Sequence, residues 1–590
     1  MGGEEITDPV QIAEEFNNFF AQIGSSISHS INPTPVDPLS YVQTPPNTPT
    51  LTFNQTDPIQ IIGLLKNFEK KSSPDIDGIS INLLKFVSHE IAPPLSHIFN
   101  LSLTQGVFPD HFKTARIVPI YKAGDRTSCD NYRPIALVKS FSKILEKIVQ
   151  LNLINHLEIN HLLYTHQYGF SKGKSTEHNL LHLINNITTS LNDGNFTVGI
   201  FLDLKKAFDV CNHSILLSKL PKYGISGQAL NWFTSYLSNR SQKTDIGGHL
   251  SSSQNIDISV IQGSLLGPTL FLIYINDFPN CTSLTTFLFA DDTSAIKSGP
   301  NLNDLFTQIN LELSKIATWY RANRMAVNTG KTKYIIFHNR GRNINTNELA
   351  LYFNDNEPHD YHNPANIHTL ERVYNNNPDV TSRTYKLLGI HLDEHLTLNS
   401  HYSILCNKLS RALFFLRRVK NILPSNALLT LYYSLFHCHL LYCPNILGIS
   451  SQSNISKVSA LQRKAVRTIT NSTRTAPTLP LFCNLRILPF DELLKLHRSL
   501  FMHSIEYNYN LPSFENVWPK NNARNINHEL RNANEFYLPP IHKEIFRKSP
   551  LYSLPHTWNT LGPVKFHTNR TTFKIALTDE LFDTLIDQTV

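Results

Sequence analysis

The stretch Phe287-Leu288-Phe289-Ala290-Asp291-Asp292-Thr293-Ser294-Ala295-Ile296 constrains this chain most, because two adjacent carboxylates interrupt an otherwise apolar, β-prone run. Leu284 to Phe289 reads as one strand and Thr293 to Ile296 as the next, which places Asp291 and Asp292 at a hairpin turn between them. An earlier apolar run, Val198 to Leu202, ends in a single Asp203. If the two strands are neighbours, Asp203 and Asp291 meet across the pair. Three like charges so close repel unless a cation neutralises them, and hard oxygen ligands suit Mg²⁺. A two-metal site for phosphoryl transfer is the simplest chemistry for such a set. Asp-Asp in a turn is also ordinary loop chemistry, so the surroundings must decide.

With 590 residues, 41% of them hydrophobic, the chain is long enough for two to four globular domains. Its net charge of +7 is mild, but the distribution is not. No Asp or Glu occurs from His395 to Phe490, a span holding Lys408, Arg411, Arg417, Arg418, Lys420, Lys457, Arg463, Lys464, Arg467, Arg474 and Arg486. A polyanionic partner, most simply a nucleic-acid backbone, fits that asymmetry better than a merely solvated basic face. Seven scattered cysteines suggest no disulfide framework and fit a reducing compartment. His437-Cys438-His439 with Cys443 lacks a second Cys pair at finger spacing, so no zinc finger is expected there. The acidic start and the absence of a run of about twenty apolar residues point to a soluble intracellular protein, in cytoplasm, nucleus or both, neither secreted nor membrane-spanning.

Read in order, Ile12, Phe16, Phe19, Phe20 and Ile23 recur at helical spacing, predicting an amphipathic helix that docks on something. Asn32 to Pro58 is proline-rich and reads as a linker. Asp57-Pro58 then caps a helix to about Lys70, and another runs from about Ser80 to His89. Ala115 to Lys122 is β-prone, and Lys122 and Arg133, flanking a turn, could clamp a triphosphate, although each alone reads as a surface charge. Gly169 to Ser175 misses the phosphate-cradling Gly-x4-Gly-Lys-Ser pattern by one residue. Phe208, five residues beyond Asp203, is close enough to wall a nucleotide sugar against a 2′-hydroxyl, or is simply a core aromatic. Gln262 and Gly263 offer an uncharged hydrogen-bonding side chain and a backbone able to approach a base pair. Leu302 to Asn323 is an amphipathic helix, and Lys331 at the next turn could protonate a leaving pyrophosphate. Residues 341–380, with ten asparagines, read as a solvent-exposed insertion, and Tyr385 to Leu392 as a strand.

The order of these pieces resembles reverse transcriptases of retrotransposons without long terminal repeats, the LINE type. The resemblance rests on Asn131-Tyr132-Arg133-Pro134-Ile135, Gln167-Tyr168-Gly169-Phe170, Asp203 with Ala207-Phe208-Asp209, Gln262-Gly263-Ser264 with Leu266-Gly267-Pro268, Phe289-Ala290-Asp291-Asp292, Asn328 with Lys331, and Leu388-Gly389. Together these cover about residues 60 to 395; Leu461 to Ala465 and Trp558 to Leu561 resemble later segments of the family. The resemblance implies an α+β right-hand polymerase. Its parts would be a helix and linker (1–57), fingers (58–195), a palm with an antiparallel sheet (196–395), a basic helical thumb (396–500) and a helical C-terminal region of unknown role (501–590). It further implies that Asp203, Asp291, Asp292 and the Leu204 carbonyl bind two Mg²⁺ ions, or Mn²⁺. Lys122, Arg133, Phe208, Gln262 and Gly263 would contact the nucleotide, Lys331 would act as proton donor, and Arg411, Arg417, Arg418, Lys420, Arg463, Lys464 and Arg467 would meet nucleic acid. The implied partners are an RNA template, a DNA primer and deoxynucleoside triphosphates; protein partners are not implied. Ser171 stands where the family commonly has Arg, and Ile261 where it has Pro. The family's usual endonuclease is not recognisable before the fingers, so a partial element product is expected. The competing expectation is a catalytically silent nucleic-acid-binding remnant.

Overall fold

The computed structural model describes residues 6–342, 344, 349–354, 367–509, 511–523 and 532–587. It is an α+β chain with fourteen strands among the described residues. They are β1 (Thr114–Tyr121), β2 (Tyr132–Leu137), β3 (Phe196–Leu202), β4 (Arg240–Ile246), β5 (His249–Leu250), β6 (Gln254–Ile256), β7 (Thr285–Phe289) and β8 (Asp292–Gly299). After these come β9 (Lys333–Phe337), β10 (Tyr352–Asn354), β11 (Ile367–Thr369), β12 (Glu371–Val373), β13 (Tyr385–Leu387) and β14 (Ile390–Leu392).

The central sheet has the order β12-β9-β3-β8-β7 and is antiparallel apart from the β12–β9 pair. Its strands are covered on both faces, and the two-residue period sorts their side chains into two cores. Val198, Ile200, Leu288, Ala295, Tyr334 and Ile336 enter one core, together with the helices Gly267–Ile275 and Leu302–Ala322. Phe201, Phe287, Ile296, Ile335 and Phe337 enter the other, with the helix Thr176–Asn192 and the C-terminal helices. A second sheet pairs β1 antiparallel to β2 and parallel to β4, which also carries β5 and β6.

Several sequence expectations are corrected. The helix Pro9–Ser30 lays Phe16 and Phe20 on Ala115, Ile117, Ala136 and Ile261 of the second sheet and its neighbouring loop. Its buried Asn17 accepts from Gln242 Nε2 at 3.1 Å and Thr244 Oγ1 at 3.2 Å, which fixes the docking register. The proline-rich stretch is not a free linker. Leu51 is buried and its amide donates to Gly224 O at 2.8 Å, because Leu51 and Phe53 supply apolar surface to the first core. The helix expected from Ser80 to His89 breaks at Val87, and a new one runs Ser88–Gln105.

Tyr385 to Leu392 is not one strand but the β13–β14 hairpin. Leu388 (φ 44°) and Gly389 (φ 84°) both take the positive φ that a two-residue reversal requires. The asparagine-rich insertion lies partly outside the described residues. Its described part is not uniformly exposed: Leu351, Phe353, Leu370 and Val373 are buried, and β12 extends the central sheet. A boundary drawn at 500 cuts the continuous helix Phe490–Glu506, which packs on the later helices Pro550–Asn559 and Arg570–Asp587.

Candidate active site

β3 lies between β8 and β9, so Asp203, the next residue, emerges at the end of the sheet's middle strand. Its amide donates to Thr332 Oγ1 at 3.2 Å and its carbonyl accepts from Asn328 N at 2.7 Å, which anchors it to the turn that carries Lys331. β7 and β8 pair through Phe289 and Asp292, leaving Ala290 and Asp291 as the reversal, with Ala290 at φ 55°. The β3–β8 ladder ends at Leu202 opposite Thr293, so its continuation carries Asp203 toward Asp292 rather than Asp291. The expected pairing is thus displaced by one residue, because Asp292 begins β8 instead of belonging to the turn. Asp203 and Asp291 nevertheless line one cavity.

The hairpin is held from outside. Tyr168 N donates to Leu288 O at 2.8 Å, and Leu288 N to His166 O at 2.9 Å, so residues 166–168 run along β7 as an added edge. A Cβ on Gly169 would stand 2.3 Å from Ala290 N, so only glycine lets the two segments approach this closely.

The carboxylates repel. Asp292 is exposed as a residue, but partial desolvation of its carboxyl, then the neighbouring Asp291 and Asp203, push it up to about 6. Burial also raises Asp203 and Asp291, against the pull of Lys331 on the first and of Arg133 and Lys122 on the second. Their oxygens do not all lie within 4.8 Å of one another, an open arrangement for three like charges. A cation would relieve this repulsion, so the donor set fits the divalent ions that reverse transcriptases use.

The cavity, of about 1000 Å³, brings Lys122, Arg133, Leu204, Phe208, Gln262, Gly263 and Lys331 around Asp203 and Asp291. Lys122 follows β1 and Arg133 lies in β2, so the hairpin of the second sheet presents both cations. Partial burial, with Lys206 and Arg133 nearby, lowers the Lys122 pKa, leaving it a cation short of counter-charge. Phe208 stacks on Phe271 at 4.5 Å and meets Phe170 edge-on at 6.2 Å, so it is a braced wall of the cavity. Gln262 donates to Asp209 Oδ1 at 2.8 Å, and its carbonyl accepts from Ala136 N at 2.7 Å. Gly263 (φ 126°) has no room for a Cβ, which would stand 2.2 Å from Ala136 O.

Two contributors were not legible as such. Ile23 and Ile27 of the N-terminal helix line the cavity, and a Cβ on Gly24 would stand 2.0 Å from Asp209 O. Ile23 belongs to the helical pattern legible in the sequence, but nothing in that pattern named the surface it covers. Ser171 and Ile261, which depart from the family pattern, are both accommodated. Ser171 Oγ donates to Gly169 O at 3.2 Å, and buried Ile261 accepts from Ser264 Oγ at 2.9 Å.

The basic residues form no part of this cavity's lining. Arg411, Arg417 and Arg418 are exposed on the helix Asn399–Val419, and Arg463 and Lys464 on Gln452–Ile469, which packs against it. Arg418 lies over Phe414, itself exposed. Lys420 donates to Asn471 Oδ1 at 3.1 Å, and Arg467 Nε to Ala476 O at 2.9 Å, so these two also hold their own loops. Among the described residues no helix is long and apolar enough to cross a membrane.

Residues 120–392 match the family described as Reverse transcriptase (RNA-dependent DNA polymerase). In Drosophila melanogaster the chain is 25% identical over 431 residues to the RNA-directed DNA polymerase from mobile element jockey, covering 70% of this chain and 44% of that protein. It is 26% identical over 473 residues to the probable RNA-directed DNA polymerase from transposon BS, covering 77% and 49%. Against the corresponding X-element protein it is 24% identical over 466 residues, covering 77% and 48%. The chain thus spans about half the length of these curated relatives. Residues 120–392 are thus similar to the reverse transcriptase family, and the wider chain is similar to the RNA-directed DNA polymerases named for these mobile elements.

Proposed function

We propose that the chain is an RNA-directed DNA polymerase that extends a DNA primer on an RNA template with deoxynucleoside triphosphates. The observation that carries this reading is that Asp203 and Asp291, with Asp292 adjacent in the chain, share one cavity with Lys122, Arg133 and Lys331. Carboxylates for metal ions and cations for phosphate oxygens in one cavity fit a triphosphate.

In this reading residues 58–195 are the fingers, 196–395 the palm and 396–500 the thumb, whose last helix runs on to Glu506, and the remainder of 501–590 is a helical brace on it. Asp203, Asp291, Asp292 and the Leu204 carbonyl would hold two Mg²⁺ ions, replaceable by Mn²⁺, which supply charge neutralisation at the reacting phosphate. Arg133 grips the triphosphate through its planar fork and Lys122 as a point charge. The primer 3′-hydroxyl forms the new bond to the α-phosphorus as the bond to pyrophosphate breaks, and Lys331 delivers a proton to that leaving group. Phe208 fills the space a 2′-hydroxyl would need, and Gln262, oriented by Asp209, contacts the incoming nucleotide while Gly263 admits it closely.

Arg411, Arg417, Arg418, Lys420, Arg463, Lys464 and Arg467 supply positive charge for the template–primer backbone. The protein would act inside the cell, in cytoplasm, nucleus or both. A catalytically silent remnant is the weaker reading, since the sequence retains Asp203, Asp291 and Asp292 and Phe208 packs on Phe271. The test is DNA synthesis on an RNA template: extension with deoxynucleotides and Mg²⁺ that disappears in Asp291→Asn supports the polymerase, and binding without extension supports the remnant.

A further inference from the structure

At the joint between the palm sheet and the first thumb helix, His338 and Glu394 are buried and His395 is half-buried. One ligand atom from each of the three lies within 4.8 Å of the others, a grouping that no other His, Cys, Asp or Glu set among the described residues achieves. His338 follows β9, and Glu394 and His395 follow β14. A backbone bond from His338 N to Glu394 O, 3.2 Å, pins the two segments side by side.

The hydrogen bonds decide which ring nitrogens are free to ligate. His338 Nδ1 contacts Asn339 O at 3.1 Å, and His395 Nδ1 contacts His338 O at 3.0 Å. A carbonyl oxygen can only accept, so each Nδ1 carries its proton and Nε2 is the ring nitrogen left to ligate. Both Nε2 atoms face the Glu394 carboxylate, His338 at 3.7 Å and His395 at 4.0 Å. His338 Nε2 is nearest Glu394 Oε2 and His395 Nε2 nearest Oε1, so the two rings flank the carboxylate. Imidazoles that donate their second nitrogen to a backbone carbonyl are also the usual arrangement around a bound metal.

The cation now facing the cluster is Arg372, whose guanidinium is 3.6 Å from Glu394 Oε2; Asn375 N donates to Oε1 at 3.2 Å. Tetrahedral Zn²⁺ with bonds near 2.0–2.1 Å separates its ligands by about 3.4 Å. The observed spacings therefore need only small side-chain rotations. Beside the cluster lies a cavity of about 500 Å³, lined by His338, His395, Glu544 and the cations Arg340, Lys543 and Lys548, from which water can fill a fourth position.

We propose that His338, Glu394 and His395 form a structural site for Zn²⁺ that ties the end of the palm sheet to the start of the thumb. Two imidazoles with one carboxylate suit zinc rather than the magnesium of the polymerase site. This assignment does not depend on the polymerase reading, because the three residues lie outside the lining of the catalytic cavity.

The test is metal content of the full chain after chelator treatment and equilibrium dialysis against Zn²⁺ in excess Mg²⁺. Wild type and Asp291→Asn should each retain one zinc per chain, and His338→Ala and His395→Ala should retain none. Loading wild type with Co²⁺ should give the intense visible absorption of a tetrahedral site, lost in the shape-preserving Glu394→Gln, whose folding is checked by circular dichroism. No retained zinc in wild type, retention unchanged in both histidine variants, or only weak octahedral Co²⁺ absorption would each overturn the proposal.

Discussion

The side-chain oxygen of Gln167 accepts from Ala290 N at 3.0 Å and from Gly169 N at 2.9 Å, tying the turn that carries Asp291 to the segment running beside β7. Gln167 is buried, so Gln167→Ala leaves two amides without a partner where water cannot readily replace it. Each such loss costs about 1–3 kcal/mol. Freed of this tether, the turn shifts, and kcat should fall by roughly 10²-fold with a smaller change in nucleotide KM. Steady-state extension kinetics alongside thermal denaturation separate the two effects; a variant that loses stability but keeps kcat would sink the positioning role.

Phe208, in contact with Phe271 and Phe170, is proposed above to fill the space a ribose 2′-hydroxyl would need. Phe208→Val should raise ribonucleotide incorporation relative to deoxynucleotide by at least about tenfold. Competing single-nucleotide additions on one template–primer read this ratio directly, and an unchanged ratio would return Phe208 to the status of a core aromatic.

Asp292 stands at about 6 instead of its ordinary 3.8, raised by partial desolvation of its carboxyl and by Asp291 and Asp203. A raised carboxyl pKa means that the folded state holds the proton more tightly than the unfolded one. Without divalent metal, stability should therefore fall as pH rises from about 3.8 to about 6 and then level off. Asp292→Asn should flatten this slope and raise the metal-free Tm at neutral pH by a few degrees while abolishing extension. Mg²⁺ should raise the Tm of wild type more than that of the variant. Melting curves across pH, with and without Mg²⁺, check both statements.

The sheet and its carboxylates were legible because an apolar strand ending in Asp, and a strand pair broken by Asp-Asp, have few other solutions. The docking of Phe16, Phe20, Ile23 and Ile27 was not, since periodicity reveals a face but not the surface it meets. Leu388-Gly389 reads in sequence as the middle of a strand, although positive φ at both residues makes it a reversal. β12 is hidden because three residues carry too short a pattern, and its pairing with β9 is a tertiary choice. The C-terminal helices lack a chemical signature, yet Phe514 stacks on His182 at 4.0 Å and Asn192 accepts from the amides of His542 and Lys543. Such packing between distant segments leaves no local trace.

Exposed Arg417 and Arg418 contrast with Arg467, which is tied to Ala476 O. Replacing Arg417 and Arg418 together with Ala should weaken template–primer binding and reduce the slope of log K against log salt by about 0.7–0.9 for each phosphate no longer neutralised. Arg467→Ala should instead act chiefly on stability. Fluorescence anisotropy at several salt concentrations, paired with melting curves, distinguishes the two roles.

The most direct test of the central claim is primer extension on an RNA template with deoxynucleotides and Mg²⁺, comparing wild type with Asp291→Asn. Wild type should extend the primer, and the variant should lose at least ~10²-fold in rate with template–primer affinity nearly unchanged. Binding without extension by wild type, or equal extension by the two, would contradict the polymerase assignment.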